Sequence, residues 1–174
     1  GMTKLETLEA ANNQITTLEP LAACTALVKL YMGYNQIETL AGCEALIALD
    51  TIQFMGNGLT DISGLTNCTQ LKDVNLAENK LTDVSVLAKS KQNLKNIILS
   101  DNQLTEVSSV KGAPEMYALA VEKNRLTNLD DIEGCEKLYY LSAYGNTITD
   151  ISGVRSCQAL YYLDLGDNQI KDLT

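Results

Sequence analysis

The hydrophobic positions of this chain recur with a period of about 22 residues. One asparagine marks each period, and the gaps between successive asparagines are 22, 22, 22, 23, 22, 22 and 22 residues, from Asn13 through Asn35, Asn57, Asn79, Asn102, Asn124 and Asn146 to Asn168. A period of this size is typical of a solenoid, in which each repeat buries its hydrophobic face against its neighbours. The pattern therefore predicts eight repeats in one domain over residues 1–174.

Each repeat carries hydrophobic residues at fixed distances from its asparagine. Eight residues before it stands Leu or Met, at Leu5, Leu27, Leu49, Leu71, Leu94, Met116, Leu138 and Leu160. Five before it stands Leu, Ile or Val, three before it the residue is mostly apolar, and two after it comes Ile or Leu. Because the intervening residues then point outward, the alternation predicts one short strand per repeat with a single buried face.

The resulting frame, LxxLxLxxNxI, resembles the leucine-rich repeat over essentially the whole chain. Tails such as LTDISGL (59–65) and ITDISGV (148–154) are most similar to the leucine-rich regulatory subunit of protein phosphatase 1 and to the bacterial internalins. The resemblance implies an α/β fold: a right-handed horseshoe solenoid with a parallel sheet on its concave face and short helical or 3-10 turns and loops on its convex face. It also implies a phosphatase partner in the first case and a host receptor in the second.

The polar residues that recur with the repeat have structural interpretations. An asparagine amide both donates and accepts hydrogen bonds, so the repeated asparagine is expected to satisfy backbone groups where the chain turns inward after the strand. Asp61, Asp83 and Asp150 follow this turn, where a side-chain oxygen is able to cap a short helical turn. Their recurrence favours capping over a catalytic role.

The side-chain inventory argues against an enzyme. The chain has no histidine, which removes the usual general base at neutral pH and the commonest metal ligand. We expect no catalytic residues, no cofactor and no metal site.

The five cysteines indicate buried thiols in a reducing setting rather than a disulfide framework. The first leucine of the next repeat follows three residues after each of four cysteines, Cys24, Cys68, Cys135 and Cys157. After Cys43 the corresponding leucine, Leu49, follows only six residues later. This difference predicts a local shift in the outer segment of the second repeat. The single 23-residue spacing predicts an outward bulge near residues 89–93.

A formal charge of -9 disfavours nucleic acid and anionic membranes as partners. No apolar run is long enough to span a membrane or to form a signal-peptide core, so membrane insertion is not expected. A cytoplasmic location is favoured for the chain as given. A bacterial cell surface or secreted location is the alternative for a trimmed chain.

All eight tyrosines fall at the positions that the repeat leaves free, the second, third, fifth, seventh and eighth of LxxLxLxxN. They are Tyr31, Tyr34, Tyr117, Tyr139, Tyr140, Tyr144, Tyr161 and Tyr162, and six of them lie in the last three repeats. Tyrosine braces neighbouring strands, which is one explanation. The clustering favours a binding surface, because exposed aromatic side chains are enriched at interaction sites.

Glu122 and Asp164 share this predicted surface and make it mildly acidic. It is therefore expected to bind a protein or a peptide that is basic or mixed in charge, through Arg or Lys anchors. Two other interpretations stay open. One is a carbohydrate-binding or cell-surface adhesion module, since tyrosine rings stack on sugars. The other is a self-associating repeat unit, a homodimer through uncapped ends, or a fragment of a larger protein.

Overall fold

The computed structural model describes residues 2–173, so Gly1 and Thr174, the ends of the predicted domain, lie outside the described residues. Eight strands form one open sheet in chain order, and every neighbouring pair is parallel. The strands are β1 (Thr7–Glu9), β2 (Lys29–Tyr31), β3 (Thr51–Gln53), β4 (Asp73–Asn75), β5 (Asn96–Ile98), β6 (Ala118–Ala120), β7 (Tyr140–Ser142) and β8 (Tyr162–Asp164). The predicted horseshoe solenoid of eight repeats is confirmed.

The middle residue of each strand points into the core. These residues are fully or almost fully buried from β2 to β7, as Leu30 and Leu141 illustrate. In the first and last strands, Leu8 is only partly buried and Leu163 is 39% exposed, because each has a neighbouring repeat on one side only. The core is therefore a stack of neighbour-to-neighbour contacts, as in other solenoids.

The repeated asparagine joins each repeat to the one before it. The Asn124 side-chain amide donates to the carbonyl oxygens of Leu99, Val121 and Glu122 at 3.0, 3.2 and 3.2 Å, and its Oδ1 accepts from the Leu104 N–H at 2.9 Å. We call the seven repeated asparagines from Asn35 to Asn168 the asparagine ladder. Each of them makes the same set of bonds. The predicted dual role of the amide is confirmed.

Short 3-10 segments lie on the side opposite the sheet, at Glu19–Leu21, Ser63–Leu65, Ser85–Ser90, Ser108–Val110, Asp130–Ile132 and Ser152–Ser156. The carboxylates of Asp61, Asp83 and Asp150 accept hydrogen bonds from the first backbone N–H of their segments at 2.7–2.8 Å. The residue directly before each segment makes no side-chain cap bond. The aspartates thus cap the 3-10 segments as predicted, but each aspartate lies two residues before its segment and not directly before it.

The predicted shift of the second repeat is wrong. The N–H of Cys43 bonds to the carbonyl of Leu40, and the N–H of Leu46 bonds to that of Cys43, which is the spacing that Leu21 and Cys24 have in the first repeat. Cys43 therefore takes the inward position of Leu21, and Leu46 takes that of Cys24. A hydrophobic side chain at both positions is enough to keep the register.

The extra residue of the 23-residue spacing is taken up where the sequence predicts it. Ser85–Ser90 is the longest of the 3-10 segments, and the N–H of Leu94 bonds to the carbonyl of Ser90, four residues back. The corresponding bond in the first repeat, from Leu27 to Cys24, spans three residues. The insertion thus widens an outer turn and leaves the register of β4 and β5 intact.

The five cysteines are all free and buried. The Sγ atoms of Cys68 and Cys135 lie 3.5 and 3.4 Å from carbonyl oxygens of the preceding repeat, those of Leu46 and Val110. Burial raises the pKa of Cys43 to about 12 and that of Cys68 to about 11. These thiols therefore stay protonated and contribute to the core as small hydrophobic groups.

No helix within residues 2–173 combines the length and the apolar character that crossing a membrane requires.

Candidate binding surface on the concave face

Polar side chains on the central strands and directly before them pair with one another on the outward side of the sheet. Lys72 Nζ lies 3.2 Å from Asp50 Oδ2, and Asn96 Nδ2 donates to Asp73 Oδ1 at 2.6 Å. We call these four residues the central polar region. Side chains of this part of the sheet, together with Tyr31, line an open depression of about 330 Å³. Its polar groups already satisfy part of one another's hydrogen-bonding capacity.

The last three repeats present tyrosines instead. We call Tyr117, Tyr139, Tyr140, Tyr144, Tyr161 and Tyr162 the C-terminal tyrosine region. Tyr117, Tyr139 and Tyr161 form one continuous stack, with ring centroids 5.1 and 5.0 Å apart and ring planes within 7° of parallel. They occupy the second position of three successive repeats, directly before each strand. A row of identical residues at one repeat position therefore produces the stack.

A second stack lies on the strands themselves. Tyr140 and Tyr162 are partners in the β7–β8 register, and their rings are parallel within 2° at a centroid distance of 4.6 Å. This distance is close to the ordinary spacing of neighbouring strands, about 4.8 Å. The strand spacing thus sets the ring spacing. The partner of Tyr140 on its other side is Ala118, whose methyl group leaves the second face of the Tyr140 ring without a stacking ring.

Two glycines that sequence reasoning missed make room for tyrosines. A Cβ atom on Gly166 would lie 2.9 Å from Cδ2 of Tyr144, and one on Gly56 would collide with the ring of Tyr34. Each glycine stands 22 residues after its tyrosine, so the signal in the sequence is a glycine at the next equivalent repeat position. A side chain at either position would therefore force the neighbouring tyrosine ring to move.

Tyr34 lies on a turn rather than on a strand. The residue directly before each ladder asparagine has a left-handed backbone, with φ of 56° at Tyr34 and 50° at Lys123. The eighth position of the repeat therefore belongs to the turn that follows the strand. The Tyr34 hydroxyl points to the sulfur of Met55 at 3.6 Å.

Glu122 and Asp164 lie with Tyr140, Tyr144 and Tyr162 around one open depression of about 550 Å³. The Glu122 carboxylate accepts a hydrogen bond from the Ser100 hydroxyl, and Asp164 Oδ1 accepts from the Gly166 N–H at 2.9 Å. Within residues 2–173, neither carboxylate lies within 4.0 Å of a Lys or Arg nitrogen. Two carboxylates without a cationic partner thus face this space.

The surroundings of Tyr140 raise the pKa of its hydroxyl group. Burial is the main cause that raises the pKa of its hydroxyl, and the neighbouring Tyr162, Glu122 and Asp164 raise that pKa further. A nearby Ser142 hydroxyl acts in the opposite direction. Negative charge on this hydroxyl is therefore disfavoured mainly by burial, and the nearby carboxylates add to the effect.

The structure divides the predicted site residues into separate groups. Tyr140, Tyr144, Tyr162, Glu122 and Asp164 line one depression, and the stack of Tyr117, Tyr139 and Tyr161 occupies the neighbouring repeat position. Tyr31 belongs to the central depression, and Tyr34 lies on its own turn. Within residues 2–173, neither Tyr31 nor Tyr34 stacks on another tyrosine. The two depressions nevertheless adjoin, since Asn75 and Ile98 line both of them.

Solved structures with the same fold come from bacteria and plants. Internalin C2 from Listeria monocytogenes is 31% identical, with a TM-score of 0.94 over 99% of this chain and 76% of that one. A leucine-rich repeat protein from Leptospira interrogans is 23% identical, with a TM-score of 0.87 over 97% of this chain and 45% of that one. The plant peptide hormone receptor RGFR1 in complex with RGF2 is 22% identical, with a TM-score of 0.75 over 92% and 32%.

No curated protein sequence matches this chain. The sequence model for leucine-rich repeats in two copies matches residues 3–46 and 47–89, together half of the chain. The asparagine ladder, the parallel sheet and the close match to an internalin agree with this assignment. The chain therefore belongs to the leucine-rich repeat proteins and is similar to the internalins.

Proposed function

We propose that this protein is a binding scaffold whose C-terminal tyrosine region, together with Glu122 and Asp164, contacts a protein or peptide partner. The leucine-rich repeat fold is a common scaffold for protein–protein interaction, and its members are generally not enzymes. The plant receptor RGFR1, which shares the fold, is known in complex with RGF2. These relatives support the class of function and leave the partner to be identified.

The observation that carries the proposal is the exposure of ordered aromatic rings. Tyr161 is 79% exposed, and Tyr117 and Tyr144 are exposed as well. Tyrosine contributes large contact area for a small loss of conformational entropy and keeps a hydroxyl for hydrogen bonding. Because five of the six rings are stacked before any partner binds, binding has little further ordering cost at these side chains.

Ring stacking also argues against the carbohydrate interpretation. Sugars pack against open aromatic faces, but both faces of the Tyr139 ring are covered by Tyr117 and Tyr161. The middle ring of this stack therefore offers only its edge and its hydroxyl group, which suit a peptide better than a sugar ring. Self-association has no observation in its favour beyond the partial exposure of Leu163 in the last strand.

Selection from a displayed library of random peptides tests the proposal. We compare the wild type with a variant that carries Tyr139→Ala, Tyr140→Ala, Tyr161→Ala and Tyr162→Ala. A matched control carries Asp50→Ala, Lys72→Ala, Asp73→Ala and Asn96→Ala, which remove the central polar region of the same face. Urea denaturation first establishes that both variants are folded.

We expect peptides selected on the wild type to bind the control normally and the tyrosine variant at least about tenfold more weakly, because aromatic anchors dominate such interfaces. Equal binding to the tyrosine variant contradicts the proposal, as does the absence of any selected peptide. Binding to a glycan array in the absence of peptide binding favours the carbohydrate alternative instead.

A further inference from the structure

We infer that the depression beside Tyr140 binds a cationic side chain of the partner, an arginine that stacks on the β6 side of Tyr140 and pairs with Glu122, while the charge of Asp164 adds attraction from the β8 side. This inference rests on the proposed function and names the chemistry of the contact. Three features of the depression support it: an open ring face, carboxylates without cationic partners, and a surrounding charge that is negative.

The open ring face follows from the register of the sheet. Tyr140 stacks on Tyr162 on the β8 side, with ring centroids 4.6 Å apart. Its other face looks toward β6, where its partner is Ala118. A methyl group covers far less of a ring than a second tyrosine. A flat group from a partner therefore has room to continue the stack, at a spacing similar to that of the existing pair.

The charge of the depression determines which flat group fits. Its lining includes four carboxylates, of Glu78, Asp101, Glu122 and Asp164, and one lysine, Lys123. Lys123 Nζ lies 3.4 Å from Asp101 Oδ1, so the lysine is already paired. A cation that enters this space gains both the attraction of the carboxylates and that of the ring face.

Arginine satisfies both requirements with one group. Its guanidinium is planar, stacks on aromatic faces and forms paired hydrogen bonds to carboxylates. A divalent metal ion fits less well, because no group of three or more Cys, Asp or Glu side chains within residues 2–173 is arranged to hold one. The chemistry of the depression thus favours an organic cation that carries an aromatic-stacking surface.

The test uses two synthetic peptides, acetyl-Gly-Ser-Arg-Ser-Gly-amide and the same peptide with citrulline in place of arginine. Citrulline keeps the shape and most of the hydrogen-bonding groups of arginine but has no charge. Each peptide is titrated into the full chain labelled with ¹⁵N, and amide shifts are followed by NMR. We expect the arginine peptide to shift the amides of Glu122, Tyr140, Ser142 and Asp164, and to bind about tenfold more tightly than the citrulline peptide.

Matched variants separate a defined site from general attraction to an acidic protein. The pair Glu122→Gln and Asp164→Asn keeps the acceptor oxygens that bond to Ser100 and Gly166 and removes two charges. The control pair, Glu106→Gln and Glu136→Gln, removes two charges from exposed residues outside the concave strands. We expect about a tenfold loss for the first pair and less than about twofold for the second.

Ring chemistry is tested at Tyr140. Tyr140→Phe keeps the aromatic face and should bind the arginine peptide within about twofold of wild type, whereas Tyr140→Leu should bind several-fold more weakly. Equal binding of the arginine and citrulline peptides overturns the inference. So do equal effects of the two charge-removing pairs, or shifts spread over the whole acidic surface.

Failure of this inference is distinguishable from failure of the proposed function. If selected peptides depend on the tyrosines but the arginine peptide shows no charge-dependent binding, the scaffold proposal stands and the cation site is wrong. If no peptide depends on the tyrosines, the scaffold proposal fails, and the titration still decides the cation site on its own.

Discussion

The buried face and the concave face of the sheet differ in how strictly each repeat position fixes its residue type. On the buried face, every repeat places a similar hydrophobic residue at the same position, and each inner ladder asparagine makes the same hydrogen bonds. On the concave face, equivalent positions change from cross-strand polar pairs in the central repeats to stacked tyrosines in the last three. Each buried position must fit the same neighbour, whereas each concave position is free to differ. The variable face is therefore where binding specificity is to be sought.

The strongest way to test this division is at the asparagine ladder. Asn124→Ala should lower the free energy of unfolding by roughly 1 to 3 kcal/mol, because it leaves the Leu104 N–H and several carbonyl groups without their partner. Asn13→Ala is the matched control. Asn13 is exposed, and within residues 2–173 its side chain bonds only to the nearby carbonyls of Ala10 and Ala11, so we expect a loss below about 1 kcal/mol. Urea denaturation measures both, and an unchanged midpoint for Asn124→Ala contradicts the assigned role.

The second test uses the pH dependence of the buried thiols. An unfolded thiol has a pKa near 9.0, whereas the folded protein holds the protons of Cys43 and Cys68 up to about pH 12 and pH 11. Below about pH 9 neither state loses protons, and above it the unfolded state loses them first. Stability should therefore fall as the pH rises from about 9, by an amount on the order of 1 kcal/mol per pH unit for each thiol.

Urea denaturation under reducing conditions, at about pH 8 and about pH 10, measures this effect. The comparison is with the double variant Cys43→Ala and Cys68→Ala. Its stability should be lower at neutral pH, because small cavities replace the thiols, but it should depend less steeply on pH. Identical slopes for the two proteins would show that the thiols are accessible to solvent or ionise normally.

The smallest expected effects lie on the concave face. A double-mutant cycle at Tyr140 and Tyr162 should give a coupling energy of about 0.5 to 1.5 kcal/mol, as is usual for a stacked aromatic pair. The corresponding cycle at Asp50 and Lys72 should give less than about 1 kcal/mol, since the Lys72 side chain is 44% exposed. Added salt should weaken only the second coupling. A larger coupling in the polar pair would reverse our ranking of the two regions.

Much of the fold could be predicted because the same pattern of hydrophobic and asparagine positions recurs eight times. A single LxxLxL segment is ambiguous, but eight in register require a parallel sheet, and the asparagines mark each turn. The wrong prediction of a shift at Cys43 shows where such reasoning fails. Counting cysteines overlooked that leucine and cysteine are interchangeable at a buried inward position, as Leu46 demonstrates.

The candidate site was predictable in its residue types and not in its arrangement. The free positions of the repeat identified all eight tyrosines, but they did not separate Tyr31 and Tyr34 from the others. They also did not indicate that Gly56 and Gly166 serve as surfaces on which tyrosine rings lie. Side chains from different repeats meet through the curvature of the sheet and the turn geometry, which a list of positions does not contain.

The sequence by itself determined the number of repeats, their register and the hydrophobic and asparagine ladders, because these depend on contacts between equivalent positions a fixed 22 or 23 residues apart. Only the tertiary structure decided that the tyrosines form two stacks and that the neighbour of Tyr140 on the β6 side is Ala118 and not a third stacked ring. It also decided that Glu122 and Asp164 face the same depression, without a cationic partner among residues 2–173. These features depend on ring orientation and on distances between side chains. Such quantities are set by packing in three dimensions rather than by spacing along the chain.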